Sequence, residues 1–240
     1  MANTIWAYAT IGHSSPNLFD AISHATIEKL NTFSSQNIAN TMWALATFGY
    51  AIEPTNLDAI LSKATSVLQD FKTQEAIPTL WSLAVFNCED ADAAVPLFSK
   101  ITKDQKLSTE TLLQLHQVSL WYSKEHKKDS LLSPELREES LLAFISNENR
   151  PSNLRNDVLK TFKSLENLGF VVVGEELQDD QTGYIIDIVI GMKNSSKEMA
   201  VEIDGPSHFI NRLPNGATIL KRRQLVSLTN KTLLSIPYWE

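Results

Sequence analysis

An array of helical hairpins followed by a small α/β domain is the fold class this sequence predicts, and three observations predict it. Tryptophans 6, 43 and 81 recur at spacings of 37 and 38 residues inside similar helical segments. After Leu154 the apolar pattern changes from a helical stripe to short β-branched runs. Within one such run Asp187 stands alone among Ile185, Ile186, Ile188, Val189 and Ile190, a carboxylate in what reads as a central strand.

The repeat is legible residue by residue. Ala39–Tyr50 is matched upstream by Ala2–His13, and Leu80–Phe86 repeats its middle. A second element recurs as well, because Asn17–Ser23 aligns with Asn56–Ser62. Leu30, Phe33 and Gln36 return as Leu68, Phe71 and Gln74. Each unit reads as two helices. The first spans about 35–48, with Ile38, Met42, Leu45 and Ala46 at helical spacing and Gly49 as its stop. Pro54 or Asn56 opens the second, which buries Leu57, Ile60, Leu61 and Ala64. Small alanines let helices approach, and the tryptophans are expected in the core, with stacking platforms for bases as the alternative.

A degenerate third unit follows at about 108–121, then a polar break at 123–129. Its Lys124, Lys127 and Lys128 read as a solvated helix end rather than an RNA contact. Pro134 sits in the first turn of a helix running to about Ser146. The helical region is therefore 1–146, the linker 147–153, and the second domain 154–240.

That second domain reads as helix, three strands, helix, strand. The helix carries Leu154, Val158, Leu159, Phe162, Leu165 and Leu168 and stops at Gly169. Strands are predicted at 170–173, 184–190, 198–204 and 232–238, with an acidic loop at 175–183. Thr218 is the expected cap of a helix over 219–228. Asp187 needs a partner, because an unpaired buried carboxylate costs several kcal/mol. Glu202 and Asp204 alternate with Val201 and Ile203 on the next strand, so three carboxylates gather. Such a group wants a divalent metal, or else an arginine or lysine. Lys221, Arg222 and Arg223 are the candidates for internal neutralisation.

Composition narrows the classes. The net charge is −7 over 240 residues, and residues 1–100 carry four basic against nine acidic side chains. Bulk charge gives no support to nucleic-acid binding, so any such binding is local. The single cysteine, Cys88, excludes an internal disulfide and suits a reducing compartment. No run of eighteen apolar residues exists, so no membrane-spanning helix is expected, and no membrane is expected among the partners.

The N-terminal pattern resembles the roughly 38-residue octotricopeptide repeats and the repeats of FAST-kinase-like organellar proteins, over residues 1–122. Val201–Phe209, Leu220–Arg223 and Ile236–Glu240 together resemble a RAP domain, over residues 184–240. That domain is similar to the restriction-endonuclease-like fold, whose motif is an Asp on the second strand and Glu-x-Lys on the third. Asp187 and Glu202 match, whereas Asp204 stands where the lysine would be.

The resemblance implies an RNA-binding protein of mitochondrial or plastid gene expression. Its repeats would hold RNA, with Lys221, Arg222, Arg223, His208 and Arg212 adding contacts and no small-molecule cofactor required. One alternative is an endonuclease, with Mg or Mn on Asp187, Glu202 and Asp204 and with His208 or Lys221 as base or orienter. Another is a non-catalytic scaffold whose carboxylates are paired internally. Alignment places Met1 partway into a helix, so the natural start is expected upstream, where a targeting peptide would lie. The sequence stops at Tyr238-Trp239-Glu240, short of the final helix expected of a RAP domain.

Overall fold

The computed structural model describes residues 1–13, 15–102, 106–147 and 153–240. Most of the predicted linker, residues 148–152, lies outside the described residues. The layout is a helical stretch followed by a four-stranded mixed sheet and a small two-stranded sheet.

The repeat consists of helix pairs. First helices are α1 (Ala2–Thr10), α3 (Ser35–Thr47), α5 (Thr73–Val85) and α7 (Thr109–Ser119), and they pack side by side in that order. Helices α2 (Pro16–Lys29) and α4 (Pro54–Ser66) are the second members, and the short α6 (Val95–Phe98) stands in the third. Caps punctuate them. The Ser34 hydroxyl accepts from the Asn37 amide at 3.3 Å while Asn37 Oδ1 accepts from the Ser34 amide at 3.2 Å, a capping box. At the other end Gly49 adopts φ +64°, and its amide and that of Tyr50 close onto Ala46 and Leu45 carbonyls. Successive units are stitched by one recurring bond. Ser35 Oγ donates to the Asp70 carbonyl at 3.1 Å, and Thr73 Oγ1, the equivalent residue, donates to Lys100 at 2.9 Å.

Beyond α7 the predicted polar break does not begin at Ser123. The helix continues as a π-helical turn, Leu120–Glu125, because Leu120, Trp121 and Tyr122 are buried and hold it. Helix α8 (Pro134–Asn147) turns back along α7.

In the second half α9 (Asn153–Ser164) precedes β1 (Phe170–Gln178), β2 (Ile185–Met192) and β3 (Glu198–Asp204). A small hairpin, β4 (Phe209–Ile210) and β5 (Leu213–Pro214), leads into α10 (Gly216–Leu228), and β6 (Thr232–Pro237) ends the order. The sheet runs β1-β2-β3-β6, antiparallel except that β6 lies parallel to β3. Strand β2 is thus interior, as its unbroken apolar run predicts. The predicted acidic loop is corrected in its first half: Glu175–Gln178 stays in β1, paired with β2 as far as Ile185. The cap of α10 is also corrected, from Thr218 to Asn215, whose side chain accepts from the Thr218 amide at 3.0 Å.

Both sheet faces are covered. Ile188, Ile190 and Val201 pack under α9 with Leu159, while Val189 and Ala200 pack with Leu225, Leu120 and Phe144. The second cluster joins α10 and the sheet to α8 and the π turn. Leu220 of α10, fully buried, lies in the core of the repeats. Two glycines allow this contact: a Cβ on Gly216 would strike the Ala46 carbonyl, and one on Gly49 would strike Ile219 and the Pro214 carbonyl.

Candidate functional site

Three consecutive residues of α10 reach in three directions. Lys221 Nζ lies 2.7 Å from Glu202 Oε2, donates to the Ile185 carbonyl at 3.2 Å and stands over the Tyr184 ring. Arg222 donates to Asp204 Oδ2 at 2.7 Å and to the Ser235 hydroxyl, which itself donates to Asp204 at 2.6 Å. Arg223 binds the Glu125 carboxylate through Nε at 3.0 Å and Nη2 at 3.2 Å, and its donors cap the Ala84 and Val85 carbonyls at the end of α5. The predicted basic run is thus engaged with acids and helix ends of the same chain.

The carboxylates are separated accordingly. Glu202 is 2 % exposed, and burial pushes it up to about 7, a rise that Lys221 opposes and the Asp187 charge reinforces. Asp204 is equally hidden. Burial alone would raise it, but hydrogen bonds from His208, Ser235 and Arg222 prevail and hold it well below the usual carboxylate range. His208 Nδ1 sits 2.9 Å from Asp204 Oδ1. Asp187 turns to Arg155 of α9, whose Nε is 3.2 Å away, and accepts from the Ile203 amide at 2.8 Å. Arg155 also pairs with Glu176. Among the described residues no group of three or more His, Cys, Asp or Glu side chains is gathered to hold a metal ion. A divalent ion on Asp187, Glu202 and Asp204 would have to displace Arg155, Lys221 and Arg222, so the set does not fit Mg or Mn as it stands.

Sequence reasoning found the acids and the Lys221 and Arg222 that neutralise Glu202 and Asp204, but missed three further partners. Arg155, Ser235 and Glu125 come from distant segments and carry no motif. It also missed a buried chain joining the two halves: Trp81 Nε1 donates to Gln117 Oε1, Gln117 Nε2 to Tyr184 Oη, and Tyr184 Oη to Gln224 Oε1, each within 2.9 Å. Gln224 closes it on the Gln117 carbonyl at 2.9 Å. Every member has a partner, the condition under which a buried polar network fixes one packing arrangement.

Beside this network lies a line of adjoining cavities. The first, about 330 Å³, is lined by Trp6, Gln36, Asn40, Trp43, Gln74 and Pro78 among others. The second, about 370 Å³, shares Trp43 and continues past Trp81 to Gln117 and Ala217. The third, about 260 Å³, shares Gln117 and Ala217 and ends at Tyr184, His208, Asn215 and Lys221. Of the predicted nucleic-acid contacts, His208 and Lys221 line this third cavity. Arg212 is exposed, 5.5 Å from the Trp239 ring centroid.

The repeat generates the first cavity. Gln36, Asn40 and Trp43 lie at i, i+4 and i+7 and so share one face of α3. Asn3 and Trp6 hold the equivalent places on α1, and Gln74, Pro78 and Trp81 those on α5. The expectation of core tryptophans is corrected here. Trp81 is buried as expected, 4 % exposed, but Trp6 is 43 % exposed and Trp43 only half-buried. The signal was in the sequence: an asparagine stands three residues before Trp6 and Trp43, and a glutamine seven before Trp43 and Trp81.

A row of helix pairs whose first helices expose aromatic and amide side chains, docked on an α/β domain, defines a helical-repeat protein with a grooved face. Residues 1–117, 117 of the 240, match the family model described as RNA-editing substrate-binding complex 6 protein, and over that region the chain is similar to this family. No helix among the described residues is long and apolar enough to cross a membrane.

Proposed function

We propose that the protein binds single-stranded RNA along the first helices of its repeats and works in RNA processing within an RNA–protein assembly. The observation that carries this is the line of cavities from Trp6 to His208 and Lys221, lined by aromatic rings and amides. Indole faces stack on bases of any sequence, and amides both donate to and accept from base edges. The similarity of residues 1–117 to a family named for RNA-editing substrate binding supports it.

The finer reading is a RAP-domain protein of a mitochondrion or plastid. In it the C-terminal domain contributes His208, Lys221 and the exposed Arg212, while Arg222 and Arg223 position α10. Binding requires no cofactor. Because each of Asp187, Glu202 and Asp204 faces a cation of the chain, the carboxylates serve as ion-pair anchors in this proposal rather than as a nuclease centre.

Fluorescence anisotropy with a labelled 20-nucleotide single strand, and with the same sequence as a duplex, tests this. Expected is saturable binding of the single strand and much weaker binding of the duplex, whose bases are unavailable for stacking. No binding of the single strand in low salt overturns it.

A further inference from the structure

We propose that the cleft formed by α1, α3 and α5 is a seat for one unpaired nucleobase, stacked on the Trp6 indole, with its edge met by the amides of Asn40, Gln36 and Gln74. This rests on the RNA-binding reading and locates where a base is held.

Four observations converge on the cleft. First, Trp6 and its repeat counterpart Trp43 both border the cavity with part of their surface open, Trp6 43 % exposed and Trp43 half-buried, whereas the next counterpart, Trp81, is buried. A large apolar face left open beside a cavity is the surface a planar ligand covers. Second, the Trp6 and Trp43 rings lie 6.5 Å apart between centroids and 40° from parallel. They neither stack nor meet edge to edge, so their faces are not fully used on each other.

Third, the polar lining suits base edges rather than phosphate. Asn40 Nδ2 donates to Asn3 Oδ1 at 3.1 Å, which orients the Asn40 amide across the α1–α3 seam. The Gln36 and Gln74 side chains stand in the same lining, and an amide side chain can both donate to and accept from a base edge. Fourth, among the described residues no lysine or arginine lines the cleft, and Glu75 does. A phosphate would be repelled, whereas a neutral base is not. About 330 Å³ is at the lower end of the usual size of small-ligand sites.

The chemical class of ligand follows: a base presented by a flexible single strand, with its phosphates directed out of the cleft. Binding here responds little to salt, because counterion release accompanies phosphate neutralisation and none occurs at this seat.

The test is anisotropy with labelled 12-nucleotide oligo(A) and oligo(U), on the full chain and on Trp6→Ala, Trp6→Phe and Asn40→Ala, with circular dichroism and thermal melting as fold controls. Expected is a loss of about tenfold in affinity for at least one oligonucleotide in Trp6→Ala, the size of one lost stack. Substantial recovery is expected in Trp6→Phe, with the same ratio at 50 and 300 mM salt. Should Trp6→Ala melt early, Asn40→Ala with an unchanged melt decides, a loss of affinity supporting the seat and none opposing it. Unaltered affinity in a folded Trp6→Ala overturns the seat while leaving RNA binding in place. Absence of binding by the unmodified chain overturns the RNA reading and the seat together.

Discussion

Glu202 shows what single residues contribute. Its carboxyl is buried beside Lys221 and titrates near 7 rather than at its ordinary 4.5. The folded state therefore holds its proton over a range where the unfolded chain has lost it. Stability from this group is fully present below pH 4.5 and is lost as pH rises through about 7. Expected in chemical denaturation is that the unfolding free energy of the native chain, relative to Glu202→Gln, falls between pH 4.5 and 7 and then levels off. A difference that rises across that window contradicts this assignment. Asp204 has the opposite sign: its contribution is present above its ordinary value of 3.8 and lost as pH falls. Asp204→Asn weakens bonds from His208, Arg222 and Ser235 at once and should lower stability at pH 7 by about 2–3 kcal/mol in urea titrations.

The carboxylates themselves were legible, because a charged residue inside an apolar run announces that it needs a partner. Which cation answers each was not. Lys221 and Arg222 were foreseen as neutralisers, but Asp187 turned to Arg155, a residue on a different helix. Arg155 shares its helix face with Val158, Leu159 and Phe162, which pack on the sheet, so this pairing depends on how α9 crosses the sheet, which no local pattern encodes.

At the scale of elements, α10 is the joint between the two halves. Its N-terminal turn rests on the ends of α3 and α5, Leu220 enters the repeat core, and Arg223 caps the Ala84 and Val85 carbonyls. Arg223→Ala leaves Glu125 buried without its guanidinium and uncaps α5, so a loss of about 2–4 kcal/mol is expected in urea titrations, larger than for the exposed Arg212→Ala. Gly216→Ala drives a methyl into the Ala46 carbonyl and should cost about 2 kcal/mol or more, whereas Ala217→Gly, one residue on and exposed, should cost no more than about 1 kcal/mol. Equal melting of Gly216→Ala and the native chain would show that this close approach is not maintained in solution.

Helix and strand periods placed most of these elements. The 37–38 residue recurrence gave the hairpins, and Gly49 and Pro54 marked a real stop and start. The errors share a cause, which is tertiary packing overriding a local signal. Acidic Glu175–Gln178 resembles a loop by composition, yet pairing with β2 keeps it extended. Lys124 and Glu125 look like a polar break, yet the burial of Trp121 and Tyr122 carries the helix on in π form.

For the whole molecule, charge and shape point the same way. A chain of net charge −7, with few basic residues on its repeats, is poorly suited to holding nucleic acid by phosphate attraction. It is suited to holding bases, because the repeat places rings and amides on one face at the same helical positions in successive units. The salt dependence of affinity for single-stranded RNA is thus expected to be shallow. Loss of Arg212 should reduce its slope by about 1 at most, read from anisotropy titrations at several salt concentrations. A steep slope would move the interface to cationic surface elsewhere.

The most direct measurement is ultraviolet crosslinking of a 4-thiouridine-substituted single strand to the full chain, followed by mapping of the modified peptides. Crosslinks are expected within Ala2–Thr10, Ser35–Thr47 and Thr73–Val85, and on the Ser207–Lys221 segment where the line of cavities ends. Crosslinks confined to α2, α4 or the sheet, with none on the first helices, would contradict RNA binding along the grooved face.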